Sequence, residues 1–345
     1  MFLVKIQNNH GKVILCDFGK EHLIIKNYDL AVIGGGPVGL FTAYFARLHG
    51  LKTVLLESLN DLGGQPEMLY PFKQILDIPV FKEISAGSLI SRLKDDLDDS
   101  VAIVTGHKVA DVTKNEDGSL TIDGEFQVRS LIIATGNGAF KPKKFPLKAD
   151  AEASQRIHYF FKDPQFFAGK AVGIFGGGDT ALDWANELAA YAKVTLIHRR
   201  EQFRGMESSV QKLQDNPQVS LMTPYLPKSM EMAGGKLAIC LKEVGQPDHL
   251  ETLAFDQILV AYGFRADNRF VKKWGVELDH GLIAVSRSMQ TSAPGIYAVG
   301  DACGYEGRVP VIGIGFGEAQ IAVNAIMRDL FPEKTLTVHS TALSK

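Results

Sequence analysis

The feature that most restricts the fold is a unit that occurs twice. Residues 29–33, Asp-Leu-Ala-Val-Ile, read as a strand buried in a parallel sheet. They lead into Gly34-Gly35-Gly36-Pro37-Val38-Gly39, and then into a helical pattern through Leu40, Ala43, Tyr44 and Arg47 that Gly50 stops. A strand from Thr53 to Leu56 follows and ends at Glu57. The later copy starts with Ala171 to Phe175 and turns at Gly176-Gly177-Gly178-Asp179-Thr180-Ala181. Its helix runs through Leu182, Ala185 and Leu188, and its next strand from Val194 to His198. Gly34 and Gly176 lie 142 residues apart, and the same interval carries Gly39 to Ala181 and Glu57 to Arg199.

Each unit has a closing strand, Leu131 to Gly136 in the first and Ile258 to Gly263 in the second. A further strand-like stretch, Gly295-Ile296-Tyr297-Ala298-Val299-Gly300-Asp301-Ala302, comes after both, with a helix expected from near Gly317 to Leu330. The simplest layout inserts the second unit into the first. The expected fold class is therefore α/β, with two Rossmann-like, three-layer dinucleotide-binding domains, the second inserted into the first. A chain of 345 residues is long enough for that, at about 150 residues per domain. The expected boundaries are 28–140 with 267–345 for the first domain and its C-terminal tail, and 141–266 for the second. The crossing points fall near 137–141 and 264–268, where Asn137-Gly138 and Arg265-Ala266-Asp267-Asn268 are hinge material. Residues 1–27 contain the short apolar runs Val13-Ile14-Leu15 and Leu23-Ile24-Ile25 and are assigned no role: an extra hairpin, a disordered extension and an upstream start all remain open.

A glycine turn between a strand and a helix suits a pyrophosphate. The helix N-terminus presents unpaired N–H groups and partial positive charge, and the glycines let backbone approach the phosphate oxygens. Gly34, Gly36, Pro37 and Gly39 are the candidates in the first turn, and Gly176, Gly178, Asp179, Thr180 and Ala181 in the second. The residue closing the next strand separates the two ligands. Glu57 can accept hydrogen bonds from ribose hydroxyls and would repel a 2′-phosphate, so the first site suits FAD or NAD. Arg199, Arg200 and Arg204 stand at the corresponding place in the second unit, where guanidinium groups can pair with a 2′-phosphate, so that site suits NADPH. The plain alternative for three arginines is a solvated face; their distance from the glycine turn favours the phosphate. FAD in one half and NADPH in the other is the resulting expectation.

Composition narrows the rest. A net charge of −2 and an isoelectric point near 6.5 give no general attraction to nucleic acid or anionic membrane. The longest uncharged stretch, the 17 residues from Leu30 to Ala46, is broken by the glycine turn and is too short to span a bilayer, which takes about 20. The three cysteines, Cys16, Cys240 and Cys303, include no C-x-x-C, which fits a reducing, cytoplasmic setting. The histidines, His158 and His198 among them, show no metal-ligand spacing, and no metal is expected. Lys141, Lys143, Lys144 and Lys148 form the densest basic cluster outside the arginine group, a docking patch or simply solvated surface.

Taken together, Gly34-x-Gly36-x-x-Gly39, Gly63-Gly64-Gln65, Gly176-x-Gly178-x-x-Ala181, His198-Arg199-Arg200 and Tyr297-Ala298-Val299-Gly300-Asp301 resemble the thioredoxin-reductase-like flavoproteins. Leu69-Tyr70-Pro71, Gly136-Asn137-Gly138-Ala139-Phe140-Lys141-Pro142 and His339-Ser340-Thr341 narrow the resemblance to the ferredoxin/flavodoxin–NADP⁺ reductases of that type. The stretch matching the redox-active C-x-x-C of thioredoxin reductases, His158 to Asp163, has no cysteine, and Cys303 alone cannot relay electrons to a disulfide. The resemblance implies FAD contacts from Glu57, Gln65, Tyr70, Val109, Phe140, Asp301 and Thr341, with Tyr70 and His339 stacking on the flavin. It further implies a homodimer whose tail covers the flavin of its own or the partner subunit. Implied too is electron transfer between NADPH and ferredoxin or flavodoxin, hydride passing to flavin N5 and electrons leaving singly, with no protein acid or base required. Two alternatives stay open: an NADPH oxidase or diaphorase with small-molecule acceptors, and a non-catalytic module that senses NADPH or flavin redox state.

Overall fold

The computed structural model describes residues 3–7, 13–17, 25–138, 141–265 and 268–334. At the centre of the first sheet, the strand Lys26–Ile33 lies parallel to Thr53–Leu56 on one side and to Phe126–Ile133 on the other. Val101–Val104 continues the sheet beyond Thr53–Leu56. At the far edge the long strand Phe126–Ile133 is shared, pairing parallel with Ile296–Ala298 through its C-terminal half and antiparallel with Leu120–Ile122 through its N-terminal half. Alternate residues of these strands serve two cores. Leu30, Val32 and Ile132 pack with Leu40 and Ala43 of the helix Pro37–Leu48 and with Ala322, Val323 and Ile326 of the helix Ile312–Leu330. Ala31, Ile33, Leu131 and Ile133 face the other way, onto Trp274, Ile283 and Ala302. Burial on both faces is why these strands are apolar without alternation.

The last helix begins at Ile312, five residues before the expected start near Gly317. Glycine lowers helix propensity by about 1 kcal/mol, which counts locally against helix at Gly313 and Gly315. Packing reverses that preference at Gly315, where a Cβ would lie 2.4 Å from Val38 Cγ2 and 3.4 Å from Gly300 Cα. The close helix contact needs the missing side chain.

The second sheet is all parallel, in the order Ile157–His158, Gln257–Ala261, Ala171–Gly176, Lys193–Ile197 and Val219–Met222. Helix Asp179–Leu188 packs on one face, burying Trp184, Ala185 and Leu188 with Val172 and Ile174. The opposite face is covered by a three-stranded antiparallel sheet, Tyr225–Ala233, Lys236–Glu243 and Gln246–Phe255. Leu237, Ile239, Leu241 and Phe255 of that sheet close over Phe175, Ile197, Ile258 and Val260. The third layer of this half is thus a sheet.

In sequence, the whole second sheet falls between Ile133 and Ile296 of the first, so the second unit is an insertion. The two connecting segments pair with each other: Lys141–Pro142 runs antiparallel to Phe264–Arg265. Away from that ribbon, Trp184 Nε1 donates to Leu69 O at 2.7 Å, Lys73 pairs with Asp183 at 2.7 Å and Lys162 with Asp61 at 2.9 Å. Phe72 stacks on Phe161 with ring centroids 5.2 Å apart. Near the N-terminus, Leu3–Gln7 and Val13–Asp17 form an antiparallel pair, which includes the Val13-Ile14-Leu15 run; Leu23 and Ile24 lie outside the described residues. Among the described residues no helix is long and apolar enough to cross a membrane, and no cluster of three potential metal ligands is found.

Candidate dinucleotide-binding sites

Two kinds of glycine make the first turn. Gly34 and Gly39 are closed in by protein: a Cβ at Gly39 would fall 1.8 Å from Gly34 O, and one at Gly34, where φ is +108°, 2.5 Å from Ala134 O. Gly36 is open, with nothing nearer to a Cβ than Gly64 Cα at 4.0 Å. Gly36 is also the N-cap of helix Pro37–Leu48, which has Pro37 in its first turn, no side-chain cap and no acidic residue there. Its first N–H groups therefore keep their capacity for an outside anion. The turn fits a dinucleotide pyrophosphate, since glycine at Gly36 leaves room that the protein does not fill.

Glu57 follows the strand Thr53–Leu56 and is 6% exposed. Its Oε2 accepts the Gly35 N–H at 2.6 Å and its Oε1 the Leu59 N–H at 2.8 Å, so the carboxylate is tied to the glycine turn it serves. Val109 lies beside this edge: the neighbouring His107 N–H bonds to Glu57 O at 2.9 Å. Asp123 holds that segment by accepting the Asp111 N–H at 2.8 Å and contacting His107 Nε2 at 2.9 Å. Gly63 and Gly64, both at positive φ, bring a second loop against the first turn, with Gly63 N–H donating to Gly35 O at 2.8 Å. Gln65 opens from this loop on the short helix Gly64–Leu69, and Tyr70 ends it, half-buried against the second unit's core. Burial, with the Asp301 and Asp183 carboxylates nearby, pushes the Tyr70 hydroxyl up to about 12, so the ring is a neutral phenol at physiological pH.

Asp301 follows the strand Ile296–Ala298 and lies near enough to Tyr70 to act on its hydroxyl. Gly300 sits at φ +68°, with room for no more than a tight contact against Val38 of the first helix. Beneath this turn is a charged group that sequence reasoning missed. Glu318, 2% exposed, accepts the Gly300 N–H at 2.7 Å, Arg308 Nε at 2.8 Å and the Tyr305 hydroxyl at 2.9 Å. Cys303 lies beside it, fully buried, and burial next to the Glu318 carboxylate pushes its thiol up to about 12. That is the environment of a packing cysteine, with almost no thiolate to react. Phe140, His339 and Thr341 lie outside the described residues.

The second turn repeats the design. A Cβ at Gly176 would lie 2.6 Å from Ala261 O, whereas one at Gly178 would meet nothing within 4 Å. Gly178 is the N-cap of helix Asp179–Leu188 and has no side-chain cap; Asp179 and Thr180 form the first turn, and Ala181 is fully buried against the strand. Arg199, Arg200 and Arg204 are exposed, and none forms an ion pair among the described residues. Arg204 is tied to the turn by its backbone, its N–H donating to Gly177 O at 2.7 Å. His198 fills the space behind Gly177, whose Cβ would fall 2.2 Å from the ring, and stacks on Phe203 at 5.5 Å. Burial and the three arginines hold the His198 imidazole below its ordinary value, so it adds no charge of its own at neutral pH.

Two sheets, each with an open glycine turn after a central parallel strand, one beside a buried carboxylate and the other beside exposed guanidinium groups, define a protein built to hold two different nucleotides. A model of the pyridine nucleotide-disulphide oxidoreductase family matches residues 28–328, and the chain belongs to that family. It is 70% identical over 312 residues to the ferredoxin–NADP reductase of Lactobacillus delbrueckii subsp. bulgaricus, covering 90% of this chain and 100% of that one. It is 56% identical over 309 residues to the ferredoxin–NADP reductase of Lactobacillus acidophilus, covering 90% and 99% respectively. Among solved structures, thioredoxin reductase from Lactococcus lactis is similar with a TM-score of 0.70 at 27% identity, covering 87% of this chain and 98% of that one.

Proposed function

We propose that this chain is an FAD-dependent ferredoxin–NADP⁺ reductase, moving electrons between NADPH and a one-electron carrier protein. The observation that carries the reading is the contrast at equivalent strand ends, Glu57 tied to the first turn and Arg199, Arg200 and Arg204 exposed beside the second, with no ion pair among the described residues. FAD, when bound, supplies the conversion between a two-electron hydride and single electrons.

The protein's own part is binding and placement. The first turn, Gly34, Gly36, Pro37 and Gly39, would take the FAD pyrophosphate, with Glu57 on the adenosine ribose and Val109 beside the adenine. Gln65, Tyr70 and Asp301 would line the ribityl chain and ring, Asp301 lying near enough to Tyr70 to act on its hydroxyl; Phe140 and Thr341 are assigned there by resemblance. Gly176, Gly178, Asp179, Thr180 and Ala181 would take the NADPH pyrophosphate, and the three arginines its 2′-phosphate, a site at which charge-assisted bonds distinguish NADPH from NADH. Leu69 and Tyr70 pack into the core of the second unit, and the exchange between flavin and nicotinamide would take place beside that contact. The paired connector Lys141–Pro142 with Phe264–Arg265 is the natural pivot for adjusting that meeting.

The finer points of the reading follow from resemblance and charge. We assign 28–140 with 267–345 to the FAD half and 141–266 to the NADPH half, and leave 1–27 without a role. Flavodoxin as a second carrier, a cytoplasmic location and a homodimer with His339 over a flavin belong to the same proposal. Lys143, Lys144 and Lys148 are exposed and unpaired among the described residues, which suits an acidic carrier. The test is cytochrome c reduction with NADPH. The reading predicts turnover that requires added ferredoxin or flavodoxin. Equal NADPH consumption without the carrier would indicate an oxidase, and nucleotide binding without turnover a sensor.

A further inference from the structure

Two glutamates are buried among the described residues, Glu57 at 6% exposure and Glu318 at 2%. Glu57 is accounted for by its turn. Glu318 sits on the core-facing stripe of helix Ile312–Leu330, in line with Gly315, Ala319 and Ala322. A carboxylate taken out of water there costs several kcal/mol unless it is paired and fully hydrogen-bonded. It is: Oε2 accepts the Gly300 N–H at 2.7 Å, and Oε1 accepts Arg308 Nε at 2.8 Å and the Tyr305 hydroxyl at 2.9 Å. The Arg308 side chain, 6% exposed, turns its other edge to Asp301, with Nη1 and Nη2 each 3.3 Å from Oδ1. Asp301 is the outermost member of this chain of charges, and its side chain is 43% exposed.

A buried ion pair is a poor way to gain stability, because apolar residues of the same volume often do as well or better. What this pair does is geometric. Glu318 fixes the backbone of the Gly300–Asp301 turn through Oε2, and with both oxygens, Oε1 accepting Nε at 2.8 Å and Oε2 accepting Nη2 at 3.4 Å, it holds Arg308 in the orientation that grips the Asp301 carboxylate. We propose that Glu318 and Arg308 are positioning residues for the flavin, acting through Gly300 and Asp301. The inference rests on the reading that the FAD chain passes along this turn.

The test uses the full-length holoenzyme and measures the FAD dissociation constant, the visible circular dichroism of the flavin and the thermal midpoint. The double variant Glu318→Gln with Arg308→Met keeps an acceptor for the Gly300 N–H and removes both buried charges together. It is expected to unfold within about 4 °C of the parent, while FAD affinity falls at least tenfold and the flavin dichroism changes. Arg308→Lys, a point charge that cannot span both carboxylates, is expected to lie between the two in affinity. It serves as the reading if the double variant fails to fold. Parental FAD affinity and dichroism in either variant would overturn the proposal, as would an affinity loss that merely tracks lost stability. Asp301→Asn separates the two levels of the argument: unchanged FAD affinity in that variant refutes the placement of FAD at this turn. If it weakens FAD and the Glu318 and Arg308 variants do not, only the positioning role fails.

Discussion

Gly178→Ala isolates what the second glycine turn is for. At Gly178 the backbone is extended, with φ −102° and ψ −178°, which alanine adopts freely, and the added methyl would meet no protein atom within 4 Å. Alanine is a poorer N-cap than glycine by up to about 1 kcal/mol. The stiffer unfolded chain returns about 0.4–1 kcal/mol. The folded protein should therefore be nearly as stable as the parent, its midpoint shifting by about 3 °C or less. The methyl occupies the open side of the turn, where a pyrophosphate would draw close to the first N–H groups of helix Asp179–Leu188. Losing two charge-assisted hydrogen bonds at about 1.5–3 kcal/mol each removes about 3–6 kcal/mol of NADPH binding. That corresponds to at least about a hundredfold rise in KM for NADPH, with FAD content unchanged. Steady-state kinetics beside a thermal scan decide it. A stable variant whose KM rises less than about threefold, under 1 kcal/mol, would refute the assignment of this turn to the nucleotide. Gly39→Ala provides the contrast: its methyl would sit 1.8 Å from Gly34 O, so the first turn itself should fail and yield should collapse.

Three further outcomes are expected. Arg199→Ala combined with Arg200→Ala should raise KM for NADPH at least about tenfold and that for NADH little, since each charge-assisted bond is worth roughly 1.5–3 kcal/mol; equal effects on both coenzymes would remove the 2′-phosphate from this site. Because the His198 imidazole is held below its ordinary 6.5, the unfolded chain takes up that proton first as pH falls, and stability is lost below that value. His198→Phe should flatten the decline seen in denaturant titrations as pH falls below about 6.5, and an unaltered pH profile would show that the ring does not contribute. Cys303, with its thiol raised to about 12 and no exposed surface, should escape alkylation in the native holoenzyme and react once unfolded; mass mapping of the labelled cysteines reads this directly.

The parts of the protein visible in one sequence are those in which a local backbone demand meets a fixed interval. The glycine turns, and the switch from Glu57 to Arg199 at the same interval, belong to that class. So do the strands Lys26–Ile33 and Ala171–Gly176, whose buried runs leave little freedom in assignment. The start of the last helix lies earlier than the sequence suggests because Gly315 answers to Val38 and Gly300, which are distant in sequence. The antiparallel layer over the second sheet was visible in principle in the alternation of Leu237, Ile239 and Leu241. Nothing local said what that face would cover. Glu318 carried a usable signal as a charge in line with Gly315, Ala319 and Ala322 on a helix face that is otherwise small and apolar. Its partner Arg308 sits ten residues earlier in a loop, and that pairing exists only once the loop is folded back. Contacts such as Lys73 with Asp183, 110 residues apart, are beyond any reading of spacing.

The central claim is that electrons pass between NADPH and the carrier protein through the flavin with no thiol relay. It is tested most directly by alkylating the remaining cysteines of a Cys303→Ala holoenzyme and following the flavin absorbance under anaerobic NADPH, then under oxidised ferredoxin. The account predicts tightly held FAD that stoichiometric NADPH bleaches and ferredoxin restores, at rates the alkylation leaves unchanged. A protein that takes up no FAD, or one whose ferredoxin step is abolished by alkylation, would contradict it.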